Sequence, residues 1–315
     1  MSAMKPDVLA LGPAFALLPK VMEEMERYFT VHHCHDYPMF LDGKLGERIR
    51  GLATEANRGA RRDLLGLLPK LEIISLFGVG LDLVDLAAAR ARNLAVTNTP
   101  GVVAREVADL AIGMMLASTR QIVFADRFVR AGRWKQGPLP LGRSVHGKTL
   151  GVVGLGGIGR AIADRAVAFG MRVVYYGPRH KPDAPYTYVD ELVALAKDSD
   201  VLMVTCKGGP ETRHLVSAAV IAALGPEGTL INVARGSVVD EAALITALKT
   251  GTLGCAALDV FENSPNLNEA FLTLPNVILQ PHQGSAARET REAMGLQVVD
   301  NLRAHFEGRK LPSPV

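Results

Sequence analysis

The sequence is poor in cysteine, in net charge and in long apolar segments, and each shortage excludes a class of protein. Three scattered cysteines, Cys34, Cys206 and Cys255, form no CxxC pair, which fits a reducing cytoplasm better than a disulfide framework. No apolar run approaches the ~18 residues of a membrane-spanning helix. The net charge is only +3 and no long Lys/Arg run occurs, so nucleic-acid binding has little support. We expect a cytoplasmic protein that binds neither membrane nor nucleic acid, and we predict no metal-binding residues.

Short β-rich segments alternate with helical patterns along almost the whole chain. This alternation predicts an α/β protein of βαβ units, with parallel sheets that carry helices on both faces. The predicted strands are "DVLAL", "EIISLFG", "LAVTN", "TLGVVGL", "RVVYYG", "VLMVTC", "TLINVA", "CAALDVF" and "NVILQP".

The length of 315 residues favours two domains over one. A long helical pattern begins near Val102 and ends at Gly132, and it would connect two domains or two subunits. The Gly- and Pro-rich segment that follows is typical of a loop or arm. The last helical pattern would return to the first domain. We therefore place one domain at 1–99 with 285–315, and the other at 100–284.

A glycine-rich turn follows the predicted strand "TLGVV" and leads directly into a helix. Gly154, Gly156 and Gly159 stand in GxGxxG spacing, which permits a tight turn, close approach of a pyrophosphate, and close packing of helix on strand. The helix N-terminus, at Gly157 and Ile158, would offer free N–H groups to phosphates. A GxGxxG motif alone is weak evidence for dinucleotide binding, but its position between a strand and a helix predicts a dinucleotide site here.

The next strand ends in "YYGPRHK", where dinucleotide-binding folds commonly carry an acid for the ribose diol. This chain has Arg179 there instead, and a guanidinium is suited to a phosphate. We therefore predict NADP as the cofactor, with NAD as the alternative. A solvated basic loop would have the same sequence.

Three polar residues follow three buried strands in the C-terminal half: Arg235, Asp259 and His282. Parallel strands would gather them at one carboxyl edge, where such sheets bind ligands. Singly, the arginine could form a surface ion pair, the aspartate could cap a helix, and the histidine could be a core residue. Together, downstream of a nucleotide turn, they indicate a catalytic site.

These motifs resemble those of the D-isomer-specific 2-hydroxyacid dehydrogenases, and within them most the glyoxylate/hydroxypyruvate reductases. The resemblance covers nearly the whole chain. It implies a flavodoxin-like substrate-binding domain with an inserted Rossmann domain, and a homodimer built on the long helix and the following arm. The motifs that carry it are "FGVGLDLVD", "VADLAIGMML", "GLGGIG", "PETRHLV", "INVARGSVVDE", "AALDVFE" and "LQPHQGSA".

The resemblance also implies roles for single residues. Arg235 would hold the substrate carboxylate and keto oxygen, His282 would donate the proton, and Asp259 would lie near the nicotinamide carboxamide. The backbone N–H groups of Val79 and Gly80 would receive the substrate carboxylate. Further cofactor contacts are implied at Cys206, Thr212, Val233, Ala234 and Gly284. Trp134 would reach a neighbouring active site, or would simply pack in the arm.

The chemistry of keto-acid reduction agrees with these roles. Negative charge develops on the keto oxygen, so a cation must face it and an acid must protonate it. A histidine can give a proton in reduction and take one in oxidation. We therefore predict NADPH-dependent reduction of small 2-keto acids such as glyoxylate and hydroxypyruvate.

Two positions depart from the family pattern. Lys207 stands where the family usually has proline, and Ser264 stands where it carries a glutamate that pairs with the catalytic histidine. A serine beside His282 would offer a hydrogen bond without charge, and Glu262 is a second acid that could approach. The serine at position 264 is also compatible with a second function, a nucleotide-sensing protein with weak or no turnover. A different Rossmann enzyme, such as a methyltransferase, is disfavoured by the Arg–Asp–His order.

Overall fold

The structure is a computed structural model that describes residues 4–35 and 43–315. The chain divides into two compact units. The first unit is Met1–Val103 with Ala286–Val315, and the second unit is Ala104–Ser285.

The first unit contains a five-stranded parallel sheet with the strand order β2-β1-β3-β4-β5. This is a flavodoxin-like order. Its elements before residue 104 are β1 (Asp7–Leu11), α1 (Pro19–Tyr28), β2 (Thr30–Cys34), α2 (Gly43–Gly46), β3 (Ile49–Glu55), α3 (Arg62–Gly66), β4 (Ile73–Phe77), α4 (Leu86–Ala91) and β5 (Ala95–Thr97).

The second unit contains a seven-stranded parallel sheet with the order β12-β11-β10-β9-β6-β7-β8. β6, β9 and β10 are completely buried, as apolar strands covered on both faces are. The elements are α5 (Ala104–Thr119), α6 (Ile122–Arg130), β6 (Thr149–Val153), α7 (Gly157–Ala168), β7 (Arg172–Tyr176), β8 (Thr187–Tyr188), α8 (Leu192–Lys197), β9 (Val201–Val204), α9 (Ala218–Leu224), β10 (Thr229–Asn232), α10 (Glu241–Thr250), β11 (Cys255–Leu258) and β12 (Val277–Leu279). The prediction of two parallel α/β sheets is confirmed.

The last helix of the chain, α11 (Arg288–Phe306), belongs to the first unit and packs against β4 and α1. Gly295 allows this close approach, because a Cβ at that position would lie 2.5 Å from a methyl carbon of Val21.

The predicted continuous helix up to Gly132 is wrong at one point. α5 ends at Thr119, Gln121 adopts a left-handed conformation with φ of 55°, and α6 continues at an angle of 58°. A left-handed residue cannot continue a right-handed helix. The hydroxyls of Ser118 and Thr119 also bond back to the carbonyls four residues earlier, a pattern that often bends helices.

This break also bears on membrane spanning. Among the described residues, no single helix is long and apolar enough to cross a membrane. By length and composition alone, α5 and α6 taken together would be long and apolar enough to cross a membrane, but they are two helices bent by 58°.

Candidate active site

The glycine-rich turn lies between β6 and α7, and each glycine meets a different constraint. Gly154 has a φ of 98°, and a Cβ there would lie 2.6 Å from the Cα of Cys206. A Cβ on Gly159 would lie 2.4 Å from the carbonyl oxygen of Gly154. A Cβ on Gly156 would meet no atom within 4 Å. The first and third glycines are therefore required by packing, whereas the second leaves open surface beside the backbone.

The N-terminus of α7 is suited to a pyrophosphate. Within the described part of the chain, the N–H groups of Gly157 and Ile158 donate to no other residue, so they are free to bind phosphate oxygens. Thr205, after β9, donates its hydroxyl to the Gly154 carbonyl at 2.7 Å and fixes the turn. Thr205 is a site residue that the sequence analysis missed. The residues present fit a dinucleotide.

The loop after β9 carries two predicted cofactor contacts. Cys206 packs against the glycine turn, and burial raises the pKa of its thiol to about 11, so the thiol stays protonated at neutral pH. The Thr212 hydroxyl donates to the Lys207 carbonyl at 2.8 Å and closes the loop. The Lys207 side chain is exposed.

The basic loop after β7 is exposed at Arg179 and His180 but is fixed at both ends. The Tyr175 hydroxyl accepts a hydrogen bond from the Lys181 N–H at 2.8 Å, and the Tyr188 hydroxyl donates to the Gly177 carbonyl at 3.1 Å. These contacts hold the loop at the carboxyl end of β7, beside the glycine turn that follows β6.

The loop after β10 is shaped by Asn232. The amide nitrogen of Asn232 donates to the Arg235 carbonyl at 2.9 Å, and its oxygen accepts from the Ala234 N–H at 3.0 Å. Val233 and Ala234 are buried, and the Arg235 guanidinium donates to the Ala234 carbonyl at 2.7 Å. The Asn232 side chain, which the sequence analysis did not single out, thus positions the predicted arginine.

The loops after β11 and β12 are tied together by Asp259. Its two carboxylate oxygens accept from the N–H groups of Gln283 at 2.6 Å and Gly284 at 2.9 Å, and its carbonyl accepts from the His282 N–H at 2.9 Å. Burial raises the pKa of Asp259, although both N–H groups act to lower it. His282 itself is left-handed, with a φ of 56°. Asp259 therefore fixes the backbone that carries the histidine.

In the described chain, Ser264 makes no hydrogen bond to His282. The Ser264 hydroxyl donates to the Phe261 carbonyl at 2.9 Å and accepts from the Phe261 N–H at 3.0 Å, so it closes an exposed turn. The Glu262 carboxylate accepts from Arg213 at 2.7 Å and lies 3.0 Å from the His214 ring nitrogen. Both groups are engaged by residues other than His282.

Val79 and Gly80 follow β4, at the carboxyl edge of the first unit's sheet. The Gly78 carbonyl accepts from the Thr99 N–H, and the Val79 carbonyl accepts from the Asn98 amide at 3.0 Å. The N–H groups of Val79 and Gly80 donate to no residue that the structure describes. The Gly78 N–H also donates to the Thr99 hydroxyl at 3.0 Å. The loop is thus held by Thr99 and Asn98 while the Val79 and Gly80 donors stay available for an anion.

Trp134 lies in a single 3₁₀ turn, Arg133–Gln136, and its side chain is 70% exposed in the chain. The preceding helix α6 has no buried residue, and its Ile122 and Val129 are exposed.

A family model decides the assignment. The model for the D-isomer specific 2-hydroxyacid dehydrogenase NAD-binding domain matches residues 112–284. The chain belongs to this family. Its members are NAD(P)-dependent dehydrogenases and reductases, so the protein is an enzyme of that class with an NAD(P) cofactor.

Individual relatives cover nearly the whole chain. A 2-ketogluconate reductase of Gluconobacter oxydans is 44% identical over 99% of both chains. A hydroxyphenylpyruvate reductase of Plectranthus scutellarioides is 49% identical over 93% of this chain and 94% of its own. Among solved structures, an NADPH-dependent glyoxylate/hydroxypyruvate reductase from Sinorhizobium meliloti, in complex with NADP and malonate, is 42% identical. It covers 99% of this chain and 97% of its own, with a TM-score of 0.91.

Proposed function

We propose that this family member reduces small 2-keto acids to 2-hydroxy acids with NADPH, and that glyoxylate and hydroxypyruvate are the first substrates to test. The observation that carries the proposal is the carboxyl edge of the seven-stranded sheet. A phosphate-binding turn, an arginine and a histidine follow strands of one parallel sheet there. The Sinorhizobium meliloti relative named for this activity supports it.

The proposed roles follow from the charge that develops in the reaction. The nicotinamide supplies the hydride when it is bound. The Arg235 guanidinium faces the keto oxygen, whose negative charge it stabilises, and its fork of donors also holds the carboxylate. His282 protonates the keto oxygen and takes the proton back in the reverse direction.

The free N–H groups of Val79 and Gly80 receive the substrate carboxylate, because two preorganised backbone donors suit a carboxylate. Asp259 positions His282 through the loop that its carboxylate ties. Its acceptor oxygens also suit the carboxamide of the nicotinamide. The remaining cofactor contacts fall to residues on the same edge: Cys206, Thr212, Val233, Ala234 and Gly284.

The preference for NADPH rests on the basic loop after β7. Arg179 is exposed there, at the end of the strand beside the phosphate-binding turn. A guanidinium forms paired hydrogen bonds to a phosphate, and it offers a ribose 2′-hydroxyl no acceptor. This arrangement supports a 2′-phosphate over a free hydroxyl.

We also propose a homodimer and a cytoplasmic location. α6 has no buried residue, and Ile122, Val129 and Trp134 are each more than half exposed. An apolar surface of this kind is commonly covered by a partner, and a second copy would cover it. None of the described cysteines forms a disulfide, which suits a reducing compartment. Light scattering after size-exclusion chromatography should give about twice the chain mass of 33.7 kDa, and a monomer mass would refute the dimer.

The function is tested by steady-state turnover with NADPH and with NADH across a panel of 2-keto acids. We expect oxidation of NADPH with glyoxylate and with hydroxypyruvate, and a higher kcat/KM for NADPH than for NADH. Absence of turnover with both substrates would refute the proposed function. Equal use of the two cofactors would refute the NADPH preference alone.

A further inference from the structure

A half-buried arginine, which forms no hydrogen bond or ion pair with any described residue, lies at the carboxyl edge of the first unit's sheet. Within residues 4–35 and 43–315, the Arg291 guanidinium makes no hydrogen bond and no ion pair. It stacks over the Phe77 ring, with its central carbon 5.4 Å from the ring centroid. Burial lowers the pKa of Arg291, and the charge of Glu55 offsets this only in part. Five unused N–H donors in this position suit a ligand.

A carboxylate lies on the same face of the sheet. Glu55 ends β3 and is the register partner of Phe77, the last residue of β4. Register partners on parallel strands point to the same face, so Glu55 and the ring under Arg291 are neighbours. Glu55 is only 9% exposed, which is unusual for a glutamate without an ion pair.

Neighbouring backbone fixes the position of the Glu55 carboxylate. One carboxylate oxygen accepts from the Ala14 N–H at 2.7 Å. Position 12 is a glycine with a φ of 117°, and a Cβ there would lie 2.3 Å from that oxygen, so a larger residue would be strained and would displace the carboxylate. For the other oxygen of Glu55, the structure shows no hydrogen bond from any described residue.

The two side chains form no ion pair, although the charge of Glu55 acts to raise the pKa of Arg291. Of the residues described, Arg291 and Glu55 keep every nitrogen–oxygen distance above 4.0 Å. One oxygen that takes part in two hydrogen bonds of about 2.8 Å would link donor and acceptor atoms that are themselves too far apart for an ion pair. A hydroxyl group matches both sides, because it accepts from the guanidinium and donates to the carboxylate.

The loop that follows Phe77 holds the two free N–H groups of Val79 and Gly80. These donors are the proposed seat of the substrate carboxylate. Glu55 and Arg291 therefore share the carboxyl edge of the first unit's sheet with the proposed seat of the substrate carboxylate.

We infer that Glu55 and Arg291 form a subsite for a hydroxyl on the substrate carbon next to the keto group. The inference rests on the proposed function and names its substrate class: 2-keto acids with a 3-hydroxyl, such as hydroxypyruvate and 2-ketogluconate, over unsubstituted ones. Glyoxylate has no third carbon and does not use the subsite. A second carboxylate on the substrate would be repelled by the negative charge of Glu55, so dicarboxylic keto acids are disfavoured.

The test compares substrates within each variant. Glu55→Gln keeps an oxygen for the Ala14 N–H and removes the charge and the second acceptor. Arg291→Met keeps the length and removes the donors. Each variant should lower kcat/KM for hydroxypyruvate by about 10- to 100-fold, the range for a hydrogen bond to a charged group. The value for glyoxylate should stay within about threefold.

The same experiment separates the possible failures. If the unchanged protein turns over neither substrate, the proposed function fails. If it turns over glyoxylate, and the variants lose both substrates equally or neither, the subsite is refuted. A preference of the unchanged protein for oxaloacetate over hydroxypyruvate would show that Arg291 takes an anion instead. Thermal unfolding of each variant identifies a loss caused by misfolding, and the double variant should lose less than the two single effects combined, since one hydroxyl bridges both residues.

Discussion

The carboxyl edge of the seven-stranded sheet is tied from loop to loop, whereas the edge of the five-stranded sheet keeps several polar groups open. In the second unit, Thr205 bonds the glycine turn, Asn232 bonds the arginine loop, and Asp259 bonds the histidine loop. In the first unit, the N–H groups of Val79 and Gly80 donate to no described residue.

This difference agrees with what each edge has to do. The proposed catalysis needs an arginine, a histidine and a cofactor turn in fixed positions, because small displacements cost large factors in rate. A substrate unit needs open donors, because the substrate is the partner that completes them. Unsatisfied groups at an edge are therefore a sign of binding, and a dense network is a sign of positioning.

The strongest test of the fixed edge separates the two proposed catalytic residues. His282→Ala should lower kcat by about 10²–10⁴-fold with little change in KM, since it removes only general acid help. Arg235→Ala should lower kcat and raise KM together, because the guanidinium binds both the carboxylate and the developing oxyanion. Steady-state kinetics with glyoxylate and NADPH measure both.

A histidine away from the edge provides the control. His305→Ala, in α11 beside Glu72, should leave kcat near that of the unchanged protein. An unchanged kcat in His282→Ala would mean that the proton comes from elsewhere.

The proposed site residues at the carboxyl edge of the second unit's sheet could be predicted from the sequence, because they stand in motifs that follow apolar strands. The glycine turn, Arg235, Asp259 and His282 could each be located from a buried strand and the residues after it. What the sequence did not indicate were the side chains that tie these loops. Thr205 and Asn232 end or follow strands as ordinary polar residues, and only the loop geometry gives them partners.

The strands and the buried charge of the first unit were harder to predict from the sequence. β2 and β3 were not predicted, because "TVHHC" is mostly polar and half exposed, and "IRGLATE" contains an arginine, a glycine and a terminal glutamate. Glu55 is a buried charged residue at the end of β3, and hydrophobic periodicity does not identify such a residue as part of a strand. The break at Gln121 has no proline or glycine to mark it. These misses share a cause, since tertiary contacts override the local signal there.

Asp259→Asn tests whether the network of the second unit positions the histidine. One carboxylate oxygen becomes an NH₂ group that faces a backbone N–H of Gln283 or Gly284, so one bond of the turn is lost. A buried group left unsatisfied costs about 1–3 kcal/mol, which should lower Tm by a few °C, and displacement of His282 should lower kcat by about 10- to 100-fold.

Asp240→Asn is the matched control, because Asp240 caps α10 by accepting from the Ala243 N–H, and asparagine caps a helix as well as aspartate. We expect little change in its Tm or kcat. If both variants behave alike, the Asp259 network has no special role.

Arg179→Ala tests the basic loop. Loss of a charge-assisted bond to a phosphate should raise KM for NADPH by about 10-fold or somewhat more. KM for NADH should change little, because that cofactor has no 2′-phosphate. Arg172→Ala removes an equal charge at the opposite end of β7, where it pairs with Asp198, and should not alter the ratio of the two KM values. A parallel rise with both cofactors would contradict the assignment of Arg179.

The smallest expected effect concerns Ser264, where the family pattern has a glutamate. The Ser264 hydroxyl bonds only to Phe261 in the described chain, so it brings no charge to the histidine. A carboxylate near His282 would favour its imidazolium form. Reduction needs that protonated form, so Ser264→Glu should move the alkaline limb of kcat/KM to higher pH and raise activity at neutral pH by a few-fold. Ser264→Gln has the same size without the charge and should leave the limb unmoved. Superimposable profiles for all three proteins would mean that position 264 does not reach His282 even with a longer side chain.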